Sequence, residues 1–399
     1  MAVTEITNES WFSRIGNSIK GILVGIVLIL VAIVGLFWNE GRTVREARTI
    51  EEGRSNVVSV DANTVDADNE GKLVHVIGRA VTAESLADPV FAVKANALRL
   101  RRRVEMYQWK ETKKSRKRKK LGGGSRTETT YSYSTTWSPR VIDSGRFREG
   151  GHDNPKTMPW KSWSRDAKEV TLGAFGLPAA LVRQIDNYEP VPPVAEMFEN
   201  VPDANGAEVR GEVLYLASES GAQEGEARIG DVRVAFEQVP LGPVSVISRQ
   251  IAAGFEPYVS ETGNDIHMLA VGSKSAAAMF QQREQTNRLI KWAVRLGGFV
   301  VMVIGFSLIF RPLSVLGDVV PFIGNIIGAG TFVISLVLAA VISIVVIAIA
   351  WLFYRPLIGI GLIVAAVGGI VLLKRLGKKK ASAAVAASPP AALPPPPPA

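Results

Sequence analysis

Four long runs of apolar residues separate the polar parts of the chain and predict its main elements. Residues 21–38 contain no charged side chain, and residues 292–310, 331–353 and 357–373 are almost entirely apolar. An apolar helix of about 20 residues is long enough to cross the hydrocarbon core of a bilayer. The pattern therefore predicts a multi-pass α-helical membrane protein with four spans. Because no cleavage site follows residues 21–38, the first span is expected to be a retained signal anchor.

The uncharged stretch from residue 319 to residue 354 contains 36 residues, which is too many for one crossing. Pro321 and nearby glycines interrupt its first third. We therefore place the third span at residues 331–353 and predict a loop or re-entrant segment over residues 311–330. Residues 1–20 are predicted to form an interfacial N-terminus, either as a short helix on the membrane surface or as an extension of the first span.

The orientation of the chain is not decided by the positive-inside rule, because Lys and Arg near the span ends are about equally numerous on both sides. The dense basic segment after the fourth span favours cytoplasmic termini, so residues 39–291 are predicted to be extracytoplasmic, either periplasmic or lumenal. Residues 374–399 then form a basic and afterwards proline-rich cytoplasmic tail. Five cations directly after the fourth span are expected to contact anionic lipid head groups: Lys374, Arg375, Lys378, Lys379 and Lys380.

The segment from residue 39 to residue 291 alternates between apolar and polar positions, which is typical of half-buried strands. The alternation is clearest in residues 98–106, where apolar side chains alternate with arginines, and in residues 131–137. Shorter strands are predicted at residues 73–77, 232–236 and 244–247. The pattern therefore predicts a large, strand-rich α+β extracytoplasmic domain.

Charge and composition narrow the function classes. The formal net charge is +9, but residues 113–120 carry seven cations and residues 374–380 carry five, and the rest of the chain is slightly acidic. A nucleic-acid-binding surface is therefore not expected. The chain has no cysteine and three histidines, so neither a metal site nor another cofactor is predicted. The basic run 113–120 is predicted to be a solvated extracytoplasmic loop or hairpin tip.

No known catalytic motif occurs in the sequence. The densest polar cluster is Gly151-His152-Asp153-Asn154-Pro155, for which two interpretations are open. A catalytic His-Asp pair is one, and a buried turn with His152 bonded to the backbone is the other. The turn is favoured, because side chains that are adjacent in sequence diverge on extended backbone. Aromatic stripes near this cluster are expected either to bind a ligand or lipid head group or to pack across strands: Met106, Tyr107, Trp109, Tyr131, Tyr133 and Trp137.

Several residues in the apolar segments are candidates for structural or functional roles. The sequence Arg-Pro-Leu begins at Arg311 and again at Arg355, and in each copy the proline (Pro312 or Pro356) is expected to end a span. Hydroxyl and small side chains are expected to support helix packing: Ser335, Ser343, Gly361, Ala365 and Gly369.

The sequence resembles the transmembrane protein 43 (LUMA) family. The similarity covers roughly residues 15–375 and is carried by four strings: Leu-Arg-Arg-Arg-Val-Glu-Met-Tyr-Gln-Trp ending at Trp109, the Tyr131 to Trp137 stripe, Gly-His-x-Asn-Pro ending at Pro155, and Trp-Leu-Phe-Tyr-Arg-Pro-Leu starting at Trp351. The resemblance implies an endoplasmic reticulum or nuclear-envelope protein with a lumenal middle domain. It also implies a role in organising membrane protein complexes, a link to lipid metabolism and a proposed ion-channel role.

We therefore expect a non-enzymatic scaffold that forms homo-oligomers and binds other membrane proteins and lipids. Two alternatives are an ion channel with a re-entrant element at residues 319–330 lined by Asn325, and a lipid-metabolism enzyme that uses His152. The cysteine-free, alanine- and valine-rich composition favours a bacterial family member in the inner membrane, with an endomembrane location if the source is eukaryotic.

Overall fold

Long helices form the membrane part of the molecule. The computed structural model describes residues 2–91, 93–194, 207–218 and 227–356. In chain order, the helices in these residues are α1 (Trp11–Asn56), the short α2 (Ala179–Val182), α3 (Ala276–Gly317) and α4 (Pro321–Tyr354). By length and composition α1, α3 and α4 can each cross a membrane. The fourth predicted span, the residues Gly361, Ala365 and Gly369, and the basic cations from Lys374 to Lys380 lie outside the described residues.

The first 20 residues do not form a surface helix, and residues 11–20 extend the first span, as the other alternative expects. Residues Ala2–Glu9 form a strand, and Ser10 then caps α1 by accepting a hydrogen bond from the backbone of Ser13. The helix passes without a break through the predicted span and on to Asn56, because residues 39–56 contain neither proline nor a strong helix breaker other than isolated glycines. The strand pairs with a distant part of the chain, a contact that the apolar pattern of residues 1–20 does not encode.

The loop or re-entrant segment predicted at residues 311–330 is also corrected. Helix α3 continues through Pro312 as far as Gly317, and α4 begins at Pro321 after a tight turn. A proline inside a membrane helix removes one backbone hydrogen bond, which neighbouring groups can tolerate. The second proline, Pro356, does follow a helix end: Arg355 has a non-helical backbone, as residues before proline prefer.

The segment between α1 and α3 is built from strands. The strands, in chain order, are β1 (Ala2–Glu9), β2 (Val58–Asp61), β3 (Leu73–Val81), β4 (Leu86–Ala87), β5 (Lys94–Ala95), β6 (Arg99–Lys119), β7 (Ser125–Ser138), β8 (Trp163–Asp166), β9 (Val170–Leu172), β10 (Phe175–Leu177), β11 (Glu189–Val191), β12 (Ala207–Arg210), β13 (Val213–Leu216), β14 (Val232–Val239), β15 (Gly242–Ile251), β16 (Gly254–Glu256), β17 (Tyr258–Val259), β18 (Asp265–Ile266) and β19 (Met268–Val271). The strand-rich prediction is confirmed. In the described part of this domain helix is limited to α2 and single 3-10 turns, so the domain is mainly β rather than α+β.

Two sheets enclose the domain core. The first sheet has the order β1-β7-β6-β14-β13-β12, with β8 on β6 and β11 on β14. The second sheet has the order β10-β9-β3-β15-β16, with β19 on β15 and β2 parallel to β3. Apolar side chains from both sheets, such as Leu100 and Phe236 from the first and Val76 and Leu172 from the second, form one buried cluster.

The helix bundle is held by close backbone packing. Helices α1 and α3 are in close contact where Gly25 faces Gly305: a Cβ atom on Gly25 would lie 2.5 Å from the Gly305 carbonyl oxygen. Further along the same interface, Leu36 of α1 and Met302 of α3 are fully buried. Small residues allow such close approach between membrane helices, where dispersion replaces the hydrophobic effect as the driving force.

Candidate functional site

Polar contacts close both ends of the helix bundle. At the domain end, the carboxylate of Glu40 on α1 is buried and accepts two hydrogen bonds from the guanidinium of Arg295 on α3, at 2.7 and 2.8 Å. The indole Nε1 of Trp351 on α4 donates to the same carboxylate at 2.9 Å. One carboxylate therefore joins all three long helices, and a bidentate arginine pair fixes their relative rotation.

The same level of the bundle contains further contacts between helices. The Asn287 amide of α3 donates to the Thr43 carbonyl of α1 at 3.2 Å. The Tyr354 ring covers Gly41, where a Cβ atom would lie only 2.5 Å from the ring. These contacts connect α1, α3 and α4 just below the domain. The sequence analysis placed Trp351 and Arg355 in the Trp-Leu-Phe-Tyr-Arg-Pro-Leu string. It did not predict that Trp351 donates a hydrogen bond to Glu40.

At the opposite end of the bundle, the tip of the β6–β7 hairpin meets the helix ends. The Arg14 guanidinium donates to the buried carboxylate of Asp318 and to the Gly123 carbonyl. The Lys119 ammonium lies 2.6 Å from the other oxygen of Asp318. The indole of Trp11 donates to the Val315 carbonyl at 2.9 Å. The hairpin tip, the start of α1 and the end of α3 thus form one buried ionic cluster.

The basic run 113–120 lies at the end of a hairpin, as one of its two predicted forms expects, and is not a solvated loop. Residues 113–119 belong to strand β6 and pair with β7 throughout. The hairpin tip lies at the N-terminal end of α1, where Lys119 also donates to Asn325 at 2.8 Å. Asn325 is therefore the partner of the hairpin tip rather than the lining of a re-entrant pore. The run is far from the end of the helices that holds the domain.

The predicted polar cluster around His152 brings several candidate residues together. The His152 ring stacks on Tyr133 with a centroid distance of 4.0 Å and meets the edge of Trp109 at 4.7 Å. Its buried Nδ1 atom has no hydrogen-bond partner among the described residues, so the expected bond to the backbone is not present. Asp153 is exposed and makes no ion pair with His152. Among the described residues, His152 is held as a packed ring without the acidic partner that a general base requires.

Asn154 has a specific structural role. Its amide donates to the Trp109 carbonyl at 2.9 Å, and its Oδ1 accepts from the Trp109 N–H at 2.7 Å. Asn154 also donates to the Ile142 carbonyl at 3.2 Å. Pro155, next in sequence, lies against Gly230. The Gly-His-x-Asn-Pro string thus covers the edge of β6 immediately after the Met-Tyr-Gln-Trp string.

The aromatic candidates pack across strands, as the second of the two interpretations expects. Tyr107 and Trp137 are directly opposite in register, with ring centroids 5.1 Å apart, and the Arg233 guanidinium lies over Trp137 at 4.7 Å. The Tyr131 hydroxyl donates to Glu5 at 3.2 Å, which ties β7 to β1. Met106 is buried in the core between the sheets.

One buried ion pair was missed by the sequence analysis. Arg102 belongs to the inward-facing positions of β6 together with Leu100 and Val104, and it donates to the fully buried Asp88 at 2.6 Å. Burial lowers the pKa of the Arg102 side chain, and the Asp88 charge opposes that shift. Asp88 also accepts from the Phe91 N–H at 2.8 Å. The alternation in β6 predicts this inward position, because Arg102 lies two positions from Leu100 and from Val104 and so shares their face of the strand.

Comparisons with known proteins decide the family. A family model described as "Transmembrane protein 43" matches residues 106–356. The rat protein named "Transmembrane protein 43" is 35% identical over 367 residues, which cover 89% of this chain and 90% of that protein. This chain belongs to the transmembrane protein 43 family. The human protein of the same name is 33% identical, with 88% of each chain covered. The "Transmembrane protein 43 homolog" of Drosophila melanogaster is 26% identical over 88% of this chain and 94% of its own.

No solved structure shows significant similarity to this member of the transmembrane protein 43 family. The sequence strings that carry the family resemblance have structural roles in this fold. The Met-Tyr-Gln-Trp and Gly-His-x-Asn-Pro strings meet at Trp109 and Asn154, and the Trp-Leu-Phe-Tyr-Arg-Pro-Leu string contributes Trp351 to the carboxylate of Glu40. The relatives described here are animal proteins, so they give no support to a bacterial source.

The remaining candidates of this family member lie in the bundle. Ser335 is buried and donates to the Thr331 carbonyl at 2.7 Å, within α4. Ser343 is buried and lies 3.7 Å from the Met302 sulfur of α3. Arg311 is exposed near the end of α3, and Arg355 follows the end of α4. Within the described residues, no group of three or more side chains could hold a metal ion.

Proposed function

We propose that this chain is a non-enzymatic membrane scaffold that oligomerises and organises membrane protein complexes, with a link to lipid metabolism. The observation that carries the proposal is the double attachment of the domain. At one end of the helix bundle, a hydrogen bond from Asn264 to Glu46 of α1 fixes the strand-rich part of the chain. At the other end, the ion pair between Lys119 and the buried Asp318 fixes the tip of its β6–β7 hairpin. A rigid attachment of this kind holds a large surface in one orientation relative to the membrane.

The outer faces of the helices support the same proposal. Large apolar side chains are left uncovered on α1 and α4, and they include Leu23, Val27, Phe332 and Ile344. In a bilayer these faces contact lipid or the helices of other membrane proteins. The described part of the domain in turn offers packed aromatic clusters and ion-paired strands.

The proposed topology has cytoplasmic termini, with most of the domain on the periplasmic or lumenal side. The compartment is the inner membrane of a bacterium or, in a eukaryote, the endoplasmic reticulum or nuclear envelope. The anionic lipid head groups expected at Lys374–Lys380 belong to the cytoplasmic side in this arrangement.

The two alternatives receive less support. A channel built on a re-entrant element needs a broken helix at residues 319–330, but these residues form a tight turn and the start of α4. An enzyme that uses His152 needs a base with a partner, but the ring is stacked between aromatic side chains.

The proposal is tested by extracting the full chain in native lipid nanodiscs and measuring the mass of the particle, its bound lipids and its co-purifying proteins. Nanodiscs from cells without the chain give the background. We expect a defined oligomer that carries other membrane proteins. A bare monomer with one stoichiometric lipid would overturn the scaffold and favour a lipid-handling protein, for which H152A should then abolish turnover without loss of folding.

A further inference from the structure

The β6–β7 hairpin runs along the helix bundle from one end to the other. Val104 of β6 is buried in the domain core, whereas Lys119 contacts Asp318 at the far end of α3. At about 3.3 Å per residue, these two β6 residues lie about 50 Å apart. On α1, Glu46 contacts the domain and Arg14 contacts the hairpin tip. At about 1.5 Å per residue, this separation is about 48 Å, so the strands and the helix extend side by side.

This arrangement brings polar strands to the depth of the first span. Residues 21–38 of α1 begin about 10 Å and end about 36 Å from the level of Arg14. At about 3.3 Å per residue, the matching part of β6 is roughly residues 108–116. It contains four exposed cations: Lys110, Lys113, Lys114 and Arg116. Charged side chains and unpaired strand edges are both strongly disfavoured in contact with hydrocarbon. These strands therefore need an enclosure that excludes lipid.

The three-stranded unit β1–β7–β6 has two open edges. Asn154 covers the backbone of Trp109, but beyond it residues 111–119 of β6 have no strand on their outer side among the described residues. Within the described part of the chain, no strand pairs with the outer side of β1 either. Unpaired edges of this length are templates for another strand.

The two open edges match in level, length and charge. Ala2 and Thr112 both face Ser132 of β7, and Glu9 and Lys119 both face Ser125. Strand β1 therefore covers the same level as the open edge of β6. The β6 edge is strongly basic, whereas β1 carries Glu5 and Glu9 and no cation. Within one chain, Lys117 already reaches Glu9 across β7 at 2.7 Å.

We propose that this unit pairs edge to edge with the same unit of neighbouring copies, β6 of one copy beside β1 of the next. The result is a closed ring in which the strands face a water-filled lumen and the apolar helices face lipid. A head-to-tail contact between two different edges of identical chains generates a ring when the rotation between neighbouring copies closes, and a membrane keeps all copies in one orientation. The inference rests on the proposed function, since it names the surface through which the scaffold oligomerises.

A second copy fits this surface better than a lipid surface does. Lipid head groups lie in a layer perpendicular to the helices, so they can reach Lys119 and Lys120 at the tip. They cannot reach Lys110 or Lys113, which lie at the depth of the span. An acidic strand from the next copy pairs with the edge over its whole length.

The absence of native cysteines allows a direct test. Thr4 faces Thr130, and Thr130 faces Lys114, so Thr4 and Lys114 are two strands apart in one chain. Their separation is about 9–10 Å, too far for a disulfide within that chain. In T4C/K114C, oxidation in native membranes should give a ladder of linked chains that ends at the ring size. The control T4C/T130C joins direct neighbours and should stay monomeric.

Because adjacent copies in a ring can be staggered, T4C is also combined with T112C and with R116C, which keep the side chain on the same face. If none of the three pairs links chains while the nanodisc mass shows an oligomer, the edge contact is overturned and the proposed function stands. A monomer by mass overturns both. Capture of anionic lipid without any linked chains would assign the basic edge to lipid instead.

The lumen is tested separately with a water-soluble maleimide in nanodiscs. K114C should be labelled, whereas V27C, on the uncovered face of α1, should be protected by lipid. Protection of K114C together with V27C would overturn the water-filled lumen.

Discussion

The side-chain amide of Asn154 makes both hydrogen bonds with the backbone of Trp109 that a neighbouring strand would make, at 2.7 and 2.9 Å. Strand β14 pairs with β6 as far as Met106, and Asn154 takes over just beyond it. A single side chain therefore ends the sheet on this side of β6. The rest of the hairpin leaves the domain with an open edge.

Replacing Asn154 with Ala should lower the free energy of unfolding by about 1–3 kcal/mol, because it leaves backbone groups of a half-buried strand without partners. N154D keeps the acceptor for the Trp109 N–H but loses the donor, so its effect should be smaller. Denaturant unfolding followed by tryptophan fluorescence measures both. Equal stability of N154A and the wild type would show that Asn154 does not end the sheet.

His152 should tolerate an aromatic replacement. H152F retains the contacts with Tyr133 and Trp109 and removes an Nδ1 atom that has no partner among the described residues, so its stability should stay near that of the wild type. H152A should destabilise by about 1–2 kcal/mol through loss of the ring contacts. Thermal unfolding of both variants in the same detergent decides between packing and chemistry. A functional loss in H152F without a change in stability would favour the enzymatic alternative.

Substitutions of Glu40 and Arg295 should have non-additive effects on the free energy of unfolding. E40M leaves the guanidinium of Arg295 without its buried partner and should cost about 3–5 kcal/mol. The double variant E40M/R295M removes both charges and should recover most of that stability. Unfolding of the wild type, E40M, R295M and E40M/R295M in nanodiscs completes the double-mutant cycle. Additive losses would mean that the two residues act independently.

The close approach of α1 and α3 predicts opposite effects at two glycines of one helix. G25A places a Cβ atom against the Gly305 carbonyl and should lower stability by about 1–3 kcal/mol. At Gly35 no atom lies within 4 Å of the added Cβ, so G35A should be neutral or stabilise slightly through helix propensity. The midpoint of thermal unfolding compares them directly. Similar behaviour of the two variants would contradict the crossing point at Gly25.

The buried His75 and the half-buried His267 predict acid sensitivity of the domain. Burial lowers the pKa of both side chains. The hydrogen bond to the Lys274 carbonyl partly offsets this shift for His75, and the charge of Asp265 partly offsets it for His267. The unfolded chain then binds more protons just below its ordinary histidine pKa of about 6.5, so stability is full above that value and falls as the pH decreases through it. Between pH 7.5 and 5.5, the unfolding midpoint should fall less in H75Q/H267Q than in the wild type. An equal fall in both proteins would assign the acid sensitivity to other groups.

The sequence predicted the elements whose signal is local. A helix that crosses a bilayer must be long and apolar, so the three long helices could be predicted from local composition alone. The alternation in residues 98–106 predicted β6. The inward position of Arg102 was also available from that alternation, because Arg102 shares one face of the strand with Leu100 and Val104.

The elements that were missed depend on distant partners. Strand β1 has little apolar alternation and is held by β7, more than 100 residues later in the chain. The end of α3 was predicted too early, because proline usually ends a helix, whereas α3 continues through Pro312 to Gly317. Lys119 and Asp318 are brought together only by the full length of the hairpin and of α3, which no pattern within either segment encodes.

The ionic cluster at the hairpin tip also sets an order of assembly during synthesis. Arg14 pairs with a carboxylate that lies 304 positions later in the chain. Strand β6 and the turn after it are therefore translated long before Asp318 is synthesised. The hairpin tip cannot form its ion pair with Asp318 until α3 has entered the membrane. Synthesis of α3 is thus the event that locks the N-terminus in place, and a nascent chain that stalls earlier carries a basic hairpin without its carboxylate partner.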